Sequence, residues 1–302
     1  MVPKRDDLVR RKRVASSLDR ARLKIQSRLD SKKGSVFTEA QLRSLLREHR
    51  AEWGLAQSVS GPEFLAFLVD TLGLRAVELR SERYKPIRRY AWGAYSPYVM
   101  ALALRPRSYL SHGTAVFLHA LNEQLPKTIY VNQEQSEKPS GIGLSQDRLS
   151  LAFTHRQRTS SYVYSMDSFR VVLLSGKQTG SFGVVTLKGP DGEEVRATGI
   201  ARTLVDIVVR PAYSGGVVQV LEAYRGASGR VEASEVVRTL RKLNYVYPYH
   251  QAIGFLMERA GFSAEECAKL RRLGTKFDFY LIHGMKNPQY DKRWRLYFPE
   301  GV

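Results

Sequence analysis

Residues 60–93 read SGPEFLAFLVDTLGLRAVELRSERYKPIRRYAWG, and this stretch decides the fold of the N-terminal part of the chain. Ser60 and Glu63 have the spacing of a capping box, in which each side chain satisfies the other's backbone donor. Phe64, Phe67, Leu68 and Leu72 then recur at helical intervals, and Gly73 ends the run. Residues 74–79 alternate as a strand does. A charged turn follows with Arg80, Arg83, Lys85, Arg88 and Arg89, and a second short strand ends at Gly93.

Working upstream, Thr38 and Gln41 repeat the capping-box spacing. The helix they open is predicted to carry Phe37, Leu42, Leu45, Leu46 and Trp53 toward a core. Helix, helix, strand, basic turn, strand is the order of a winged helix-turn-helix, in which the helix before the first wing strand enters the major groove. The turn residues suit a wing that grips phosphate. The expected recognition helix, however, offers Glu63 and Asp70 and no Lys or Arg. Base reading would then fall to Gln57, Ser58, Ser60 or Thr71, with Arg43, Arg47 and Arg50 of the preceding helix placed for phosphates.

Still further upstream, residues 4–33 form the most basic stretch, with Arg10, Arg11, Lys12 and Arg13 in a row. Val14, Leu18, Ala21, Ile25 and Leu29 recur at helical spacing within it, so the stretch is predicted to be an amphipathic helix rather than a tail.

The chain has 302 residues and a formal charge of +19. Such a charge raises the local concentration of polyanions, and of nucleic acid, an anionic membrane and an acidic protein, nucleic acid is the preferred partner. Cys267 is the single cysteine, which excludes an intrachain disulfide and a cysteine-based metal site. No apolar run reaches the roughly 20 residues of a membrane span. The N-terminus is charged from Lys4 and lacks the apolar stretch of a signal peptide, so a cytoplasmic protein with no membrane partner is expected.

Beyond Pro97 the composition becomes more mixed. A helix is expected over 111–121, a strand over 128–132 and a polar loop over 133–147. Short strands are expected through 149–200, with a hairpin turn at Gly189-Pro190-Asp191-Gly192. A helix over 201–209 ends before Pro211, and the remainder reads as helices with a terminal strand near 293–298. The expected class is α+β: a basic helical extension (1–33), a winged helix-turn-helix (34–98) and a larger mixed α/β domain (99–302).

Candidate chemistry is sparse. His112 and His119 lie seven apart, whereas a helical metal pair wants a spacing of four, so packed or capping histidines are expected. Gly180-Ser181-Phe182-Gly183 has the outline of a nucleotidyltransferase turn but lacks paired acidic residues a short way downstream. Pro190-Asp191 and Glu194-Val195-Arg196 mimic fragments of a nuclease motif, yet they sit too close in one hairpin to converge on a metal. Gly141-Ile142-Gly143 has no helix behind it and reads as a flexible loop. Arg202 and Asp206, four apart, make an intrahelical ion pair. No catalytic residue, metal or cofactor is expected.

Several segments together resemble a known family. They are Tyr109-Leu110-Ser111-His112, Ala115, Leu118-His119-Ala120-Leu121, Pro126 and Ile129-Tyr130-Val131. Further on come Arg202-Thr203-Leu204-Val205-Asp206, Pro211, Gly215-Gly216, Phe277-Asp278-Phe279-Tyr280-Leu281 and Trp294-Arg295-Leu296-Tyr297. In this order they resemble the AbiEi-type antitoxins of type IV toxin–antitoxin (abortive infection) systems. The resemblance implies an N-terminal winged helix-turn-helix and a C-terminal antitoxin domain. It also implies autorepression through inverted repeats in double-stranded promoter DNA, and neutralisation of an AbiEii-like nucleotidyltransferase toxin, directly or indirectly. Ser111, His112, Arg202 and Asp206 are its motif positions, with structural roles expected: Ser111 as a helix cap, Arg202 and Asp206 as a clamp. Two other functions stay open at this point, a DNA-binding metal-dependent nuclease and a stand-alone ligand-responsive regulator.

Overall fold

The computed structural model describes residues 5–136 and 143–302. It begins with one long helix, α1 (Arg5–Asp30). The apolar stripe read from the sequence is its buried face: Val14, Leu18, Ala21, Ile25 and Leu29 are all 5% exposed or less. They enter the same core as Leu42, Leu46, Phe64 and Leu68. The basic helix, expected as an extension ahead of the module, is therefore one wall of it. Trp92 closes the contact by donating its indole N–H to Asp30 at 2.9 Å.

The rest of this unit is β1 (Val36–Phe37), α2 (Glu39–His49), α3 (Gly61–Asp70), β2 (Arg75–Leu79), β3 (Ile87–Ala91) and α4 (Pro97–Leu102). Both expected capping boxes are formed, Thr38 with Gln41 and Ser60 with Glu63. Phe37 belongs to the two-residue strand β1 and not to the following helix, where the sequence pattern had put it. Trp53 lies past the end of α2 but is buried in the same core. The strands form an antiparallel sheet in the order β1-β3-β2, with Val36 opposite Ala91 and Leu79 opposite Ile87. Gly73, at φ +78°, turns the chain from α3 into β2, a left-handed conformation that glycine adopts without steric cost.

This first unit runs through Leu104 and includes Tyr164–Met166; the second comprises residues 105–163 and 167–302. The remaining elements follow in chain order: β4 (Tyr109–Leu110), α5 (His112–Leu118), β5 (Thr128–Glu134), α6 (Gln146–Thr154), β6 (Val163–Met166) and β7 (Phe169–Gly176). Next come β8 (Val184–Lys188), β9 (Glu194–Thr198), α7 (Ile200–Val209), a 3-10 turn (Pro211–Ser214), α8 (Val217–Ala227) and α9 (Ala233–Leu243). The chain closes with α10 (Tyr249–Arg259), α11 (Ala264–Arg271), β10 (Phe279–Tyr280), β11 (Gln289–Asp291) and β12 (Leu296–Phe298). The whole is a mixed α+β structure.

In the second unit neighbouring strands follow the order β7-β5-β4-β9-β8. Pairing is parallel between β5 and β7 and between β4 and β9, and antiparallel elsewhere in this run. Seven consecutive residues of α7, Arg202 through Val208, are buried. A helix buried on so many sides is covered all round, and residues of α8, α9 and α10 share the core of its apolar members. Two expectations fail here. Residues 149–154, expected as strand, are helical, since Ser145 caps a helix over 146–154 whose Leu149 and Phe153 face the core. The loop expected over 133–147 is shortened at both ends by β5 and α6, and Gly141 and Ile142 lie outside the described residues. Among the described residues no helix is long and apolar enough to cross a membrane.

Candidate nucleic-acid interface

The first unit presents its cations unevenly. The seven residues between β2 and β3 carry Arg80, Arg83 and Lys85, all exposed, and Arg88 follows on β3. Arg80 and Arg88 flank Glu78, at 3.3 and 3.7 Å, with side chains 83% and 64% exposed. Ion pairs this exposed contribute about 0–1 kcal/mol, so both guanidinium groups can turn to a phosphate at little cost. On α1, Arg11, Lys12 and Arg13 are exposed, and on α2 Arg43 and Arg47 are. Arg43 is shared with Glu39 one turn back, at 2.5 Å.

Other residues assigned to DNA from the sequence are engaged by the chain itself. Arg50 donates through both Nη atoms to the carbonyls of Ala56 and Val59, each at 2.7 Å, and so staples the α2–α3 turn. Arg89 donates to the carbonyls of Ala103 and Leu104 at 2.7 and 3.0 Å, fixing β3 to the end of α4. Arg10 reaches Glu63 at 3.1 Å and the Ser58 carbonyl at 3.3 Å. The Ser60 hydroxyl is closed within its capping box, 2.6 Å from Glu63. Hydrogen bonds from Ser60, then the Arg10 charge, hold the Glu63 carboxyl below its ordinary range. The Ser58 hydroxyl is buried with no hydrogen-bond partner among the described residues. Of the four residues considered for base reading, Gln57 and Thr71 are the exposed ones.

The exposed positions of α3 are Pro62, Ala66 and Asp70, four residues apart and without a cation among them. Arg75, which sequence reasoning passed over, donates to the Gly93 carbonyl at 3.2 Å and lies over the Tyr95 ring. Its place on a strand between apolar neighbours gave no signal.

In the second unit Arg202 and Asp206 belong to a buried polar network, whereas Ser111 and His112 pair with each other. Arg202 Nε lies 2.9 and 3.1 Å from the two Asp206 oxygens, and the pair is almost fully enclosed. Arg202 Nη1 donates to the Phe182 carbonyl at 2.9 Å, which ties α7 to the Gly180–Gly183 turn. That turn is further held by Glu134 on β5, which accepts from the backbone N–H of Thr179 and Ser181 and from the Thr179 hydroxyl. Tyr109 donates to the same carboxylate at 3.1 Å and accepts from Asn132 at 2.7 Å. Burial raises the Glu134 carboxyl but these hydrogen bonds outweigh it, and the net shift is downward. Burial pushes the Asp206 carboxyl up, with Arg202 pulling it back. The Gly180–Gly183 turn thus works as a structural bracket.

Ser111 precedes α5 without capping it: its hydroxyl makes no hydrogen bond to the helix amides and instead lies 2.9 Å from His112 Nδ1. That corrects the cap expected from the sequence. His112 has a left-handed backbone, φ +51°, and is buried edge-on against Tyr213 at 5.4 Å. Burial, with Arg210 and Arg202 nearby, pushes its imidazole down to about 3. His119 is packed separately and donates from Nε2 to the Thr198 carbonyl at 2.7 Å. The fragments that mimic a nuclease motif fall in and beside the single β8–β9 turn, where Glu193 accepts from the Asp191 N–H.

No family model matches the chain, and no curated protein matches it. Among solved structures, the chain is similar to the RV2827C protein from Mycobacterium tuberculosis. The two have 14% sequence identity and a TM-score of 0.55, with 94% of this chain and 91% of that chain covered. They share a fold. At this identity the likeness extends to the path of the chain and not to its chemistry.

Proposed function

We propose that the first unit is a winged helix-turn-helix that binds double-stranded DNA, and that the protein is a non-enzymatic, cytoplasmic AbiEi-type antitoxin. It represses its own promoter through inverted repeats and counters a nucleotidyltransferase-like toxin. The observation that carries the DNA-binding part is the β2–β3 turn, where Arg80, Arg83 and Lys85 stand exposed beside a helix pair in a chain of charge +19. The helix-strand-helix-helix-strand-strand order and the β1-β3-β2 sheet support the same reading. Phosphate contacts from the turn, α1 and α2 position the protein, and the exposed Gln57 and Thr71 are left to touch base edges.

The antitoxin part rests on the motif segments of the second unit. The enclosure of Arg202 and Asp206 supports a role for both in holding α7, the 179–183 turn and β5 together.

A mobility-shift titration with the protein's own promoter fragment tests the reading. Retardation that is lost when the inverted repeats are scrambled at constant length is the expected result. Equal retardation of both fragments would remove the repressor assignment, and no retardation would remove DNA binding. Co-expression with a nucleotidyltransferase-like toxin, if one is encoded beside this chain, tests the second half: restored growth is expected, and unrelieved toxicity from a folded protein would contradict it.

A further inference from the structure

The second unit holds a cavity that DNA binding leaves without a role. Its volume is about 720 Å³, and Arg158, Lys177, Arg202 and Arg210 contribute four cations to its lining against the single carboxylate of Asp206. Several donors there are uncommitted. The Arg158 guanidinium and Arg202 Nη2 make no hydrogen bond among the described residues. Lys177 donates to two carbonyls, those of Leu243 and Asn244, and lies over the Tyr245 ring at 5.7 Å, so its contribution to the cavity is mainly charge. His112, held by Ser111 at Nδ1, also lines the cavity, and its Nε2 has no partner among the described residues.

The wall that carries Arg158 is fixed in advance. Arg210 donates to the Arg158 carbonyl at 2.8 Å, Gln157 to the Val209 carbonyl at 2.9 Å, and the Ser160 N–H to the Tyr213 hydroxyl at 2.8 Å. The left-handed backbone of His112 is a further local cost at the same cavity, of a kind that tends to collect at ligand sites. A second cavity of about 240 Å³ shares Thr159 and Val209 with the first and is lined by Phe153, Pro211, Tyr249 and Ile282. One cavity is thus cationic and rich in donors, and its neighbour is mostly apolar, with Arg156, Gln157 and His283 also in its lining.

We propose that the cationic cavity binds the phosphates of a free nucleotide among Arg158, Lys177, Arg202 and Arg210, with its base on the side toward the apolar cavity, where the two share Thr159 and Val209. Guanidinium groups are suited to phosphate because their donors match its oxygens in pairs. A small molecule fits better than a duplex backbone. Arg202 and His112 are 3% and 8% exposed, whereas duplex phosphates are met by side chains that stand out from the surface. The inference is independent of the DNA-binding reading of the first unit.

Calorimetric titration of the full chain with ADP, inorganic pyrophosphate and adenosine tests it. ADP and pyrophosphate are expected to bind, and adenosine to bind at least about tenfold more weakly than ADP, as the loss of charge-assisted contacts requires. Arg158→Glu should weaken ADP by about tenfold or more with an unchanged melting curve in the absence of ligand, since Arg158 is exposed. The same variant should retard promoter DNA as the wild type does, which separates failure here from failure of the repressor reading. Three results overturn the proposal: no heat from ADP or pyrophosphate at millimolar concentration, equal affinity for adenosine and ADP, or ADP affinity untouched in R158E. Stoichiometric displacement of ADP by duplex DNA would also overturn it, by assigning these cations to the backbone.

Discussion

Arg202 Nε sits 2.9 Å from Asp206 Oδ1 one turn along α7, and both side chains are less than a tenth exposed. A buried pair is weak evidence of net stabilisation, but breaking one leaves a charge in the interior without its partner, at about 3–5 kcal/mol. Asp206→Ala is therefore expected to lower the melting temperature by several degrees and to reduce the proposed antitoxin activity only in proportion to lost folded protein. Activity per folded molecule is the quantity to measure. An unchanged melting temperature with lost rescue would place Asp206 in function instead.

The second prediction concerns α1. Ile25 is fully buried and Leu23, on the opposite face, is 78% exposed. Ile25→Ala should cost about 2–5 kcal/mol in urea denaturation, as a large-to-small change in a core does. Leu23→Ala should stay within about 0.5 kcal/mol. Equal effects would mean that the helix does not complete the core of the first unit.

What the sequence revealed of this unit was local. The stripe from Val14 to Leu29 and the two capping boxes each depend on residues within a turn or two of one another, and all three are present as read. The strand β1 was invisible because two residues carry no period. Residues 149–154 misled because Leu149, Leu151 and Phe153 alternate with small or polar residues, as a strand would. The site was less legible than the fold. Arg50 and Arg89 look from the sequence like Arg83, yet they end on backbone carbonyls, and only the folded chain decides where a guanidinium turns. The meeting of Glu134, Thr179 and Arg202 joins positions up to 68 residues apart, and no local pattern announces it. The clamp itself was legible, because Arg202 and Asp206 lie on one helix at a spacing of four.

Acid should unfold the second unit in part through His112. Its imidazole, held down to about 3 by burial, is neutral in the folded chain and takes a proton in the unfolded chain below about 6.5. A depressed value gives stability that is complete above about 6.5 and is lost as pH falls toward 3, at up to about 1.4 kcal/mol per pH unit. His119, His250 and His283 are shifted the same way. His112→Asn, which tolerates the left-handed backbone, should flatten the stability profile between pH 6 and 4 by close to one proton. An identical slope in the variant would mean that His112 is not held neutral.

Gly226 on α8 admits no side chain. A Cβ there would fall 2.2 Å from the Leu121 carbonyl oxygen, a backbone atom that cannot turn aside. Alanine gains about 1 kcal/mol in helix propensity, but overpacking against fixed backbone costs about 1–3 kcal/mol or more. Gly226→Ala should therefore destabilise, and a stabilised variant would contradict the close approach of α8 to the end of α5.

The central claim, that the basic β2–β3 turn grips DNA, is tested most directly by the salt dependence of promoter binding. Affinity should fall with log salt at about −0.9 per neutralised phosphate. Replacing Arg83, Lys85 and Arg88 together with Ala should flatten that slope by about two to three units, since the three are exposed and among the described residues Arg88 loses just a 3.7 Å contact to Glu78. A slope identical to that of the wild type in the folded triple variant would take the turn out of the interface and contradict the account.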